Sequence, residues 1–107
     1  MTTADSEVGP GASFAVETGD DGYVVLARGD VDLDTVNDFQ AAVDAALERG
    51  PATLTFDLSG TSFMDSSGLA VIVAASNRAK VTIRNPSTIV RRVVEISGLA
   101  ETLGLPE

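Results

Sequence analysis

Two serines hold the chemistry that the spacing of this chain suggests. Ser66 and Ser67 follow Asp65 and precede Gly68 and an apolar run from Leu69 to Ala75. Short polar side chains ahead of such a run are helix-start signals, because their oxygens accept the free N–H groups of a first turn. Two hydroxyls thus stand at a predicted helix N-terminus, where the dipole and the unpaired amides favour an added negative charge. Capping alone is the plainer alternative, since Ser is a common cap. Upstream, Leu54, Phe56 and Leu58 alternate with Thr53, Thr55 and Asp57, the pattern of a strand with one buried side. Gly60 is expected to break that strand.

Other chemistries find little support. The chain has no Cys and no His, which excludes disulfides, thiolate catalysis, zinc sites of the usual ligands and imidazole acid–base work. A Ser nucleophile needs a base within reach, and Lys80 is the only Lys. A nucleophile elbow requires Gly two places before its Ser, where Asp65 and Met64 stand instead. The chain carries neither a Gly-Lys-Ser/Thr phosphate loop nor a Gly-rich dinucleotide motif. Asp30, Asp32 and Asp34 alternate as in a calcium loop, but the sixth and twelfth positions counted from Asp30 hold Thr35 and Ala41 in place of Gly and Glu. Neither an enzyme nor a metal or cofactor site is expected.

The chain has 107 residues, of which 44% are hydrophobic, enough for one small domain with a single core. Its formal net charge of −9 argues against binding nucleic acid through phosphates and suits a basic partner. Within the first 34 residues, Asp5, Glu7, Glu17, Asp20, Asp21, Asp30, Asp32 and Asp34 are opposed by Arg28 alone. These charges are read mainly as solvated faces, and also as an acidic end near the second strand. Arg78, Lys80, Arg84, Arg91 and Arg92 share a stretch free of acids. No apolar stretch approaches the roughly 20 residues of a membrane span, and the N-terminus lacks a signal pattern, so a cytoplasmic protein is expected.

The elements that must position the serines can be placed in order. Residues 1–13 read as a flexible leader and 14–107 as one domain. Phe14 and Val16 mark a short strand, and Thr18 to Gly22 a hairpin turn. Tyr23 to Ala27 reads as a central strand buried on both faces. Asp34 is expected to cap a helix whose inner face holds Val36, Phe39, Val43, Ala46 and Leu47, stopped by Gly50 and Pro51. The strand Ala52 to Leu58 follows, and strand, helix, strand at this spacing make a right-handed parallel unit. Leu69 to Ala75 is apolar all round and reads as a buried helix, with Ser66 as its cap. Lys80 to Arg84 alternates as a fourth strand. Ser87 caps a last helix with Ile89, Val90, Val93, Val94 and Ile96 on one face, ended by Gly98, and Leu99 to Leu105 is expected to add a short helical turn.

Asp57-Leu58-Ser59, followed by Phe63-Met64-Asp65-Ser66-Ser67-Gly68-Leu69, resembles the STAS domain, and within it the bacterial anti-sigma factor antagonists. The resemblance extends from about Phe14 to Leu105. It implies an α/β fold: a small mixed sheet of about four strands, with parallel pairs joined by helices, an N-terminal hairpin strand and about three to four helices. In that family the second Ser of the Asp-Ser-Ser-Gly run is phosphorylated by a partner kinase, and here that residue is Ser67. Gly29-Asp30-Val31-Asp32 matches a Gly-acid-apolar-Asp run that contributes to the kinase-facing surface. The resemblance therefore implies a partner-binding face of Asp30, Asp32, Asp65, Ser66, Ser67 and Gly68. It implies an antagonist that binds an anti-sigma factor with serine-kinase activity when unphosphorylated and is released on phosphorylation, controlling sigma-factor availability. The alternative reading is a regulatory or structural subunit of a transporter or stress-signalling assembly. Gly68 to Asn85 is several residues shorter than the family pattern, which implies a truncated second helix or loop.

Overall fold

The computed structural model describes residues 12–19 and 22–105. Residues 1–11 of the expected leader, and Asp20 and Asp21 of the hairpin turn, lie outside the described residues. Four strands form one sheet in the order β1-β2-β3-β4: β1 Ala12–Thr18, β2 Gly22–Val31, β3 Thr53–Met64 and β4 Lys80–Arg84. β1 is antiparallel to β2, whereas β2, β3 and β4 are mutually parallel. Three helices complete the described chain: α1 Val36–Leu47, α2 Ser66–Ser76 and α3 Thr88–Ser97. The mixed α/β architecture is the expected one. Among the described residues no helix is long and apolar enough to cross a membrane.

Period-2 alternation gives the sheet one apolar face. Val25, Phe56 and Ile83 lie side by side in register and are all buried. Leu54 and Val81 repeat the pattern one step along, with Leu58 beyond. α1 presents Phe39, Val43, Ala46 and Leu47 to the core, and Phe39 meets Phe14 and Phe56 at centroid distances of 5.4 and 5.8 Å. From α2, Val71, Ile72 and Ala75 are buried, while Ala70 and Ala74 are exposed. The segment that reads as apolar all round thus has one outward side, made of its smallest residues. Three residues, 77–79, join α2 to β4.

Several boundaries differ from the sequence expectation. β3 runs through Gly60 to Met64 because two bulges absorb the irregularity. Leu26 pairs with Asp57 but Arg28 with Gly60; Gly29 pairs with Thr61 but Asp30 with Phe63. Each shift inserts one extra residue into β3. At the first bulge a Cβ on Gly60 would stand 3.0 Å from Cγ of the exposed Arg28, so a larger residue there would require that side chain to shift. The buried Thr61 hydroxyl donates to the Ala27 carbonyl at 2.9 Å and satisfies a group the ladder leaves over. Inward positions on β3 are consequently 54, 56, 58, 61 and 64.

The caps differ as well. Asp34 does not cap α1: Thr35 is the N-cap residue, and its hydroxyl bonds elsewhere, donating to the Asp30 carbonyl at 2.7 Å and accepting from the Asp32 amide at 3.1 Å. Nor does Ser66 cap α2. Asp65 holds that position in extended conformation, and its Oδ1 accepts from the Ser67 amide at 2.8 Å and the Gly68 amide at 3.4 Å. A carboxylate suits this place because it meets the helix dipole as well as the free amides. Ser87 and Gly98 cap α3 as expected, Gly98 in the left-handed region. On α3 only Val90 and Val94 are fully buried; Ile89 and Ile96, seven residues apart and so on one side of the helix, are 39% and 80% exposed, because that side turns away from the sheet. Leu99 to Leu105 makes one helical turn, and the Gly104 carbonyl accepts the Ile83 amide at 3.2 Å, covering the edge of β4.

Ile72→Ala removes a fully buried side chain from α2, so it should cost about 2–5 kcal/mol and lower the calorimetric Tm by about 10 °C or more. Asp65→Ala should cost about 0.5–2 kcal/mol through loss of the cap. Ser66→Ala, at an exposed position outside the cap, should stay within about 0.5 kcal/mol in the same denaturant titration. Equal losses in the two variants would refute the cap assignment.

Candidate functional site

The site gathers where β2 and β3 end side by side. Val31 pairs with Met64, both buried, and the next amide, that of Asp65, donates to the Val31 carbonyl at 3.1 Å. This bond ties the start of α2 to the end of β2. Gly68 is drawn into the same junction: a Cβ there would lie 2.6 Å from Val31 Cγ1 and 3.0 Å from Met64 Cγ, so a side chain has no room. Gly68 is buried, and its contribution is close packing and one amide.

The two serines differ once placed. Ser66 is exposed, whereas Ser67 is half-buried. The Ser67 hydroxyl donates to Asp65 Oδ1 at 2.5 Å, the same oxygen that takes the Ser67 and Gly68 amides. These bonds stabilise the ionised carboxylate. The Ser67 hydroxyl is the main cause of the lowered Asp65 pKa, partial desolvation opposes it, and the Ser67 and Gly68 amides add to it. Ser67 Oγ therefore stands fixed at the amide end of a helix, beside a carboxylate that stays charged.

On the other side of the junction, Asp30 is exposed and Asp32 half-buried. The Asp32 carbonyl accepts the amides of Thr35 at 3.1 Å and Val36 at 2.8 Å, and its carboxylate accepts the Asp34 amide at 3.0 Å, closing a tight turn. The structure thus brings Asp30 and Asp32 to the same end of the sheet as Asp65, Ser66 and Ser67. An open cavity of about 530 Å³, lined by Val24, Thr53, Thr55, Thr82 and Arg84 among others, includes none of these residues. The serine site is a surface.

Sequence reasoning passed over a second Asp-x-Ser pair. Asp57 Oδ1 accepts the Ser59 amide at 3.1 Å and hydroxyl at 2.8 Å, repeating the arrangement at Asp65 and Ser67. Desolvation works against the Asp57 charge, but Ser59 and the Arg84 guanidinium, 2.9 Å away, outweigh it and lower the pKa. No helix follows Asp57, and its carboxylate is held in an ion pair. The repeated Asp-x-Ser spacing was the available signal.

Comparison with known proteins agrees with this fold. The family described as "Mlab, STAS domain" matches residues 14–106. An anti-sigma F factor antagonist of Lysinibacillus sphaericus is 32% identical over 82 residues, 71% of this chain and 70% of that protein. The crystal structure of an anti-sigma factor antagonist from Mycobacterium paratuberculosis superposes with a TM-score of 0.75 at 29% identity, covering 90% of this chain and 86% of that one. The Bacillus cell fate determinant SpoIIAA in its phosphorylated form gives a TM-score of 0.65 at 26% identity over 83% of this chain and 86% of that one. In its unphosphorylated form it gives 0.71 at 27% identity over 83% and 84%. With a four-stranded mixed sheet, an Asp-Ser-Ser-Gly turn opening α2 and a family match across nearly its whole length, the chain belongs to the STAS domain family, among relatives that are anti-sigma factor antagonists.

Proposed function

We propose that this protein is an anti-sigma factor antagonist switched at Ser67. Unmodified, it binds an anti-sigma factor that is also a serine kinase and so frees a sigma factor; phosphorylated, it is released. The observation that carries this reading is Ser67 Oγ, held by Asp65 at the N-terminus of α2 on a surface shared with Asp30 and Asp32.

The transfer balances simply. Ser67 Oγ attacks the γ-phosphorus of ATP, a new O–P bond forms, the bond to the β-phosphate oxygen breaks and ADP leaves. The hydroxyl proton must go to a base. Asp65 accepts that proton as a hydrogen bond, but its lowered pKa makes it a weak proton acceptor. Asp65 therefore orients the hydroxyl, and the base belongs to the kinase.

The product explains release. Phosphate adds about −1.5 to −2 charges and removes the hydroxyl donor that Asp65 had held. The free amides at the helix start offset part of that charge, so the fold tolerates it. Resemblance to SpoIIAA in both its forms supports a switch that acts without refolding. At the interface the phosphoserine faces Asp65 on its own side and ADP on the kinase side, and like charges across a desolvated contact cost several kcal/mol.

Incubation with candidate anti-sigma kinases and radiolabelled ATP, followed by mass spectrometry, should place the label on Ser67. Ser67→Ala should abolish labelling, retain binding, and cost about 0.5–1.5 kcal/mol of stability through the lost bond to Asp65. Ser67→Asp should raise the calorimetric Kd about 10-fold or more. Label that persists in Ser67→Ala would overturn the assignment.

A further inference from the structure

Leu33 and Phe63 are large apolar side chains left in solvent, 77% and 44% exposed. Both stand at the C-terminal ends of parallel strands, the end of an α/β sheet where binding loops gather. Phe63 pairs in register with Asp30, one step before the Val31–Met64 pair that anchors α2. Leu33 lies in the tight turn that continues β2, between Asp32 and Asp34. One exposed leucine means little. Two such residues at the same end of the sheet, with acids near them in the chain, suit an interface, where apolar side chains sit inside a charged rim.

The rim is mostly acidic, with Arg28 two places before Asp30 on the same face of β2. Asp30 and Asp34 are exposed, and Asp32 and Asp65 are half-buried. The ion pairs among the described residues join Arg84 to Asp57 and Arg91 to Glu95, so none of these four carboxylates is neutralised that way. A partner that buried the apolar pair would have to meet uncompensated negative charge around it, and complementarity requires cations there.

We propose that Leu33 and Phe63 are the apolar anchors of the anti-sigma factor interface, and that the partner receives them in an apolar depression bordered by arginine or lysine. The proposal rests on the switch reading above; it adds which side chains hold the partner and what surface the partner presents. The anchors do not touch the reacting hydroxyl, so they govern affinity and leave the transfer step to Ser67 and the kinase. Anchoring residues of this kind carry much of an interface's binding energy, and truncating one typically weakens binding about 30-fold.

The probe is the anti-sigma factor that labels Ser67 in the assay above. Against it, Leu33→Ala and Phe63→Ala should each raise the calorimetric Kd about 30-fold and raise KM for labelling with kcat nearly unchanged. Their Tm values should stay within about 4 °C of the parent chain. Ile96→Ala, at an even more exposed residue near the C-terminal end of α3, should change neither. Raising the ionic strength to about 0.5 M should weaken binding of the parent chain, and less so in a variant carrying Asp30→Asn and Asp34→Asn. Unchanged Kd in both apolar variants, with the parent binding, overturns the anchors and leaves the antagonist reading intact. So does an equal loss in Ile96→Ala. If no anti-sigma factor binds or labels the parent chain, the switch reading fails and the anchors fail with it.

Discussion

A single oxygen, Oδ1 of Asp65, holds the site together. It accepts two backbone amides and one hydroxyl, and so starts α2, fixes Ser67 and keeps its own charge. The same residue's amide is held by the Val31 carbonyl, which fastens the helix start to the sheet. Local capping and tertiary placement therefore meet in one residue. The absence of a side chain at Gly68 lets this junction close, because Val31 and Met64 occupy the space a Cβ would need.

Electrostatics and packing divide the labour here. The core is apolar and self-sufficient: an aromatic chain of Phe14, Phe39 and Phe56 joins β1, α1 and β3, and Ile72 seats α2 beside it. The charged groups lie outside that core. The phosphate proposed at Ser67 would therefore change the surface potential without entering the packed interior, as a reversible binding switch needs.

Much of this was legible in the sequence. Alternation of Leu54, Phe56 and Leu58 with polar residues identified the face of β3, and helical spacing from Val36 to Leu47 identified α1, because each pattern reports burial directly. Ser87 and Gly98 marked both ends of α3. The errors arose where a residue type has more than one use. Gly60 signals a break in a single strand, but a neighbouring strand turned it into a bulge. Asp65 and Ser66 are both good caps, and backbone conformation decided between them. On α3 the apolar residues spread over more than one side of the helix, and the side of Ile89 and Ile96 faces solvent while that of Val90 and Val94 is buried. The exposure of Leu33 and Phe63 was not legible at all, since neither residue type nor spacing says which apolar side chains remain uncovered.

The paired bulges in β3 have a consequence for how this segment tolerates change. A bulge works as a parity operation: one extra residue exchanges inside for outside along everything that follows. Two of them restore the original phase, so Leu58 and Met64 point inward on either side of Thr61. Losing Ser62 alone would erase the second bulge and leave Thr61, Phe63 and Met64 opposite Gly29, Asp30 and Val31 in unbroken register. Met64 would still face the core and Asp65 would still follow it to the Val31 carbonyl. The two extra residues are therefore slack in the ladder: the span can shorten by one at a bulge and still deliver the motif, whereas an added residue would need a further bulge to absorb it.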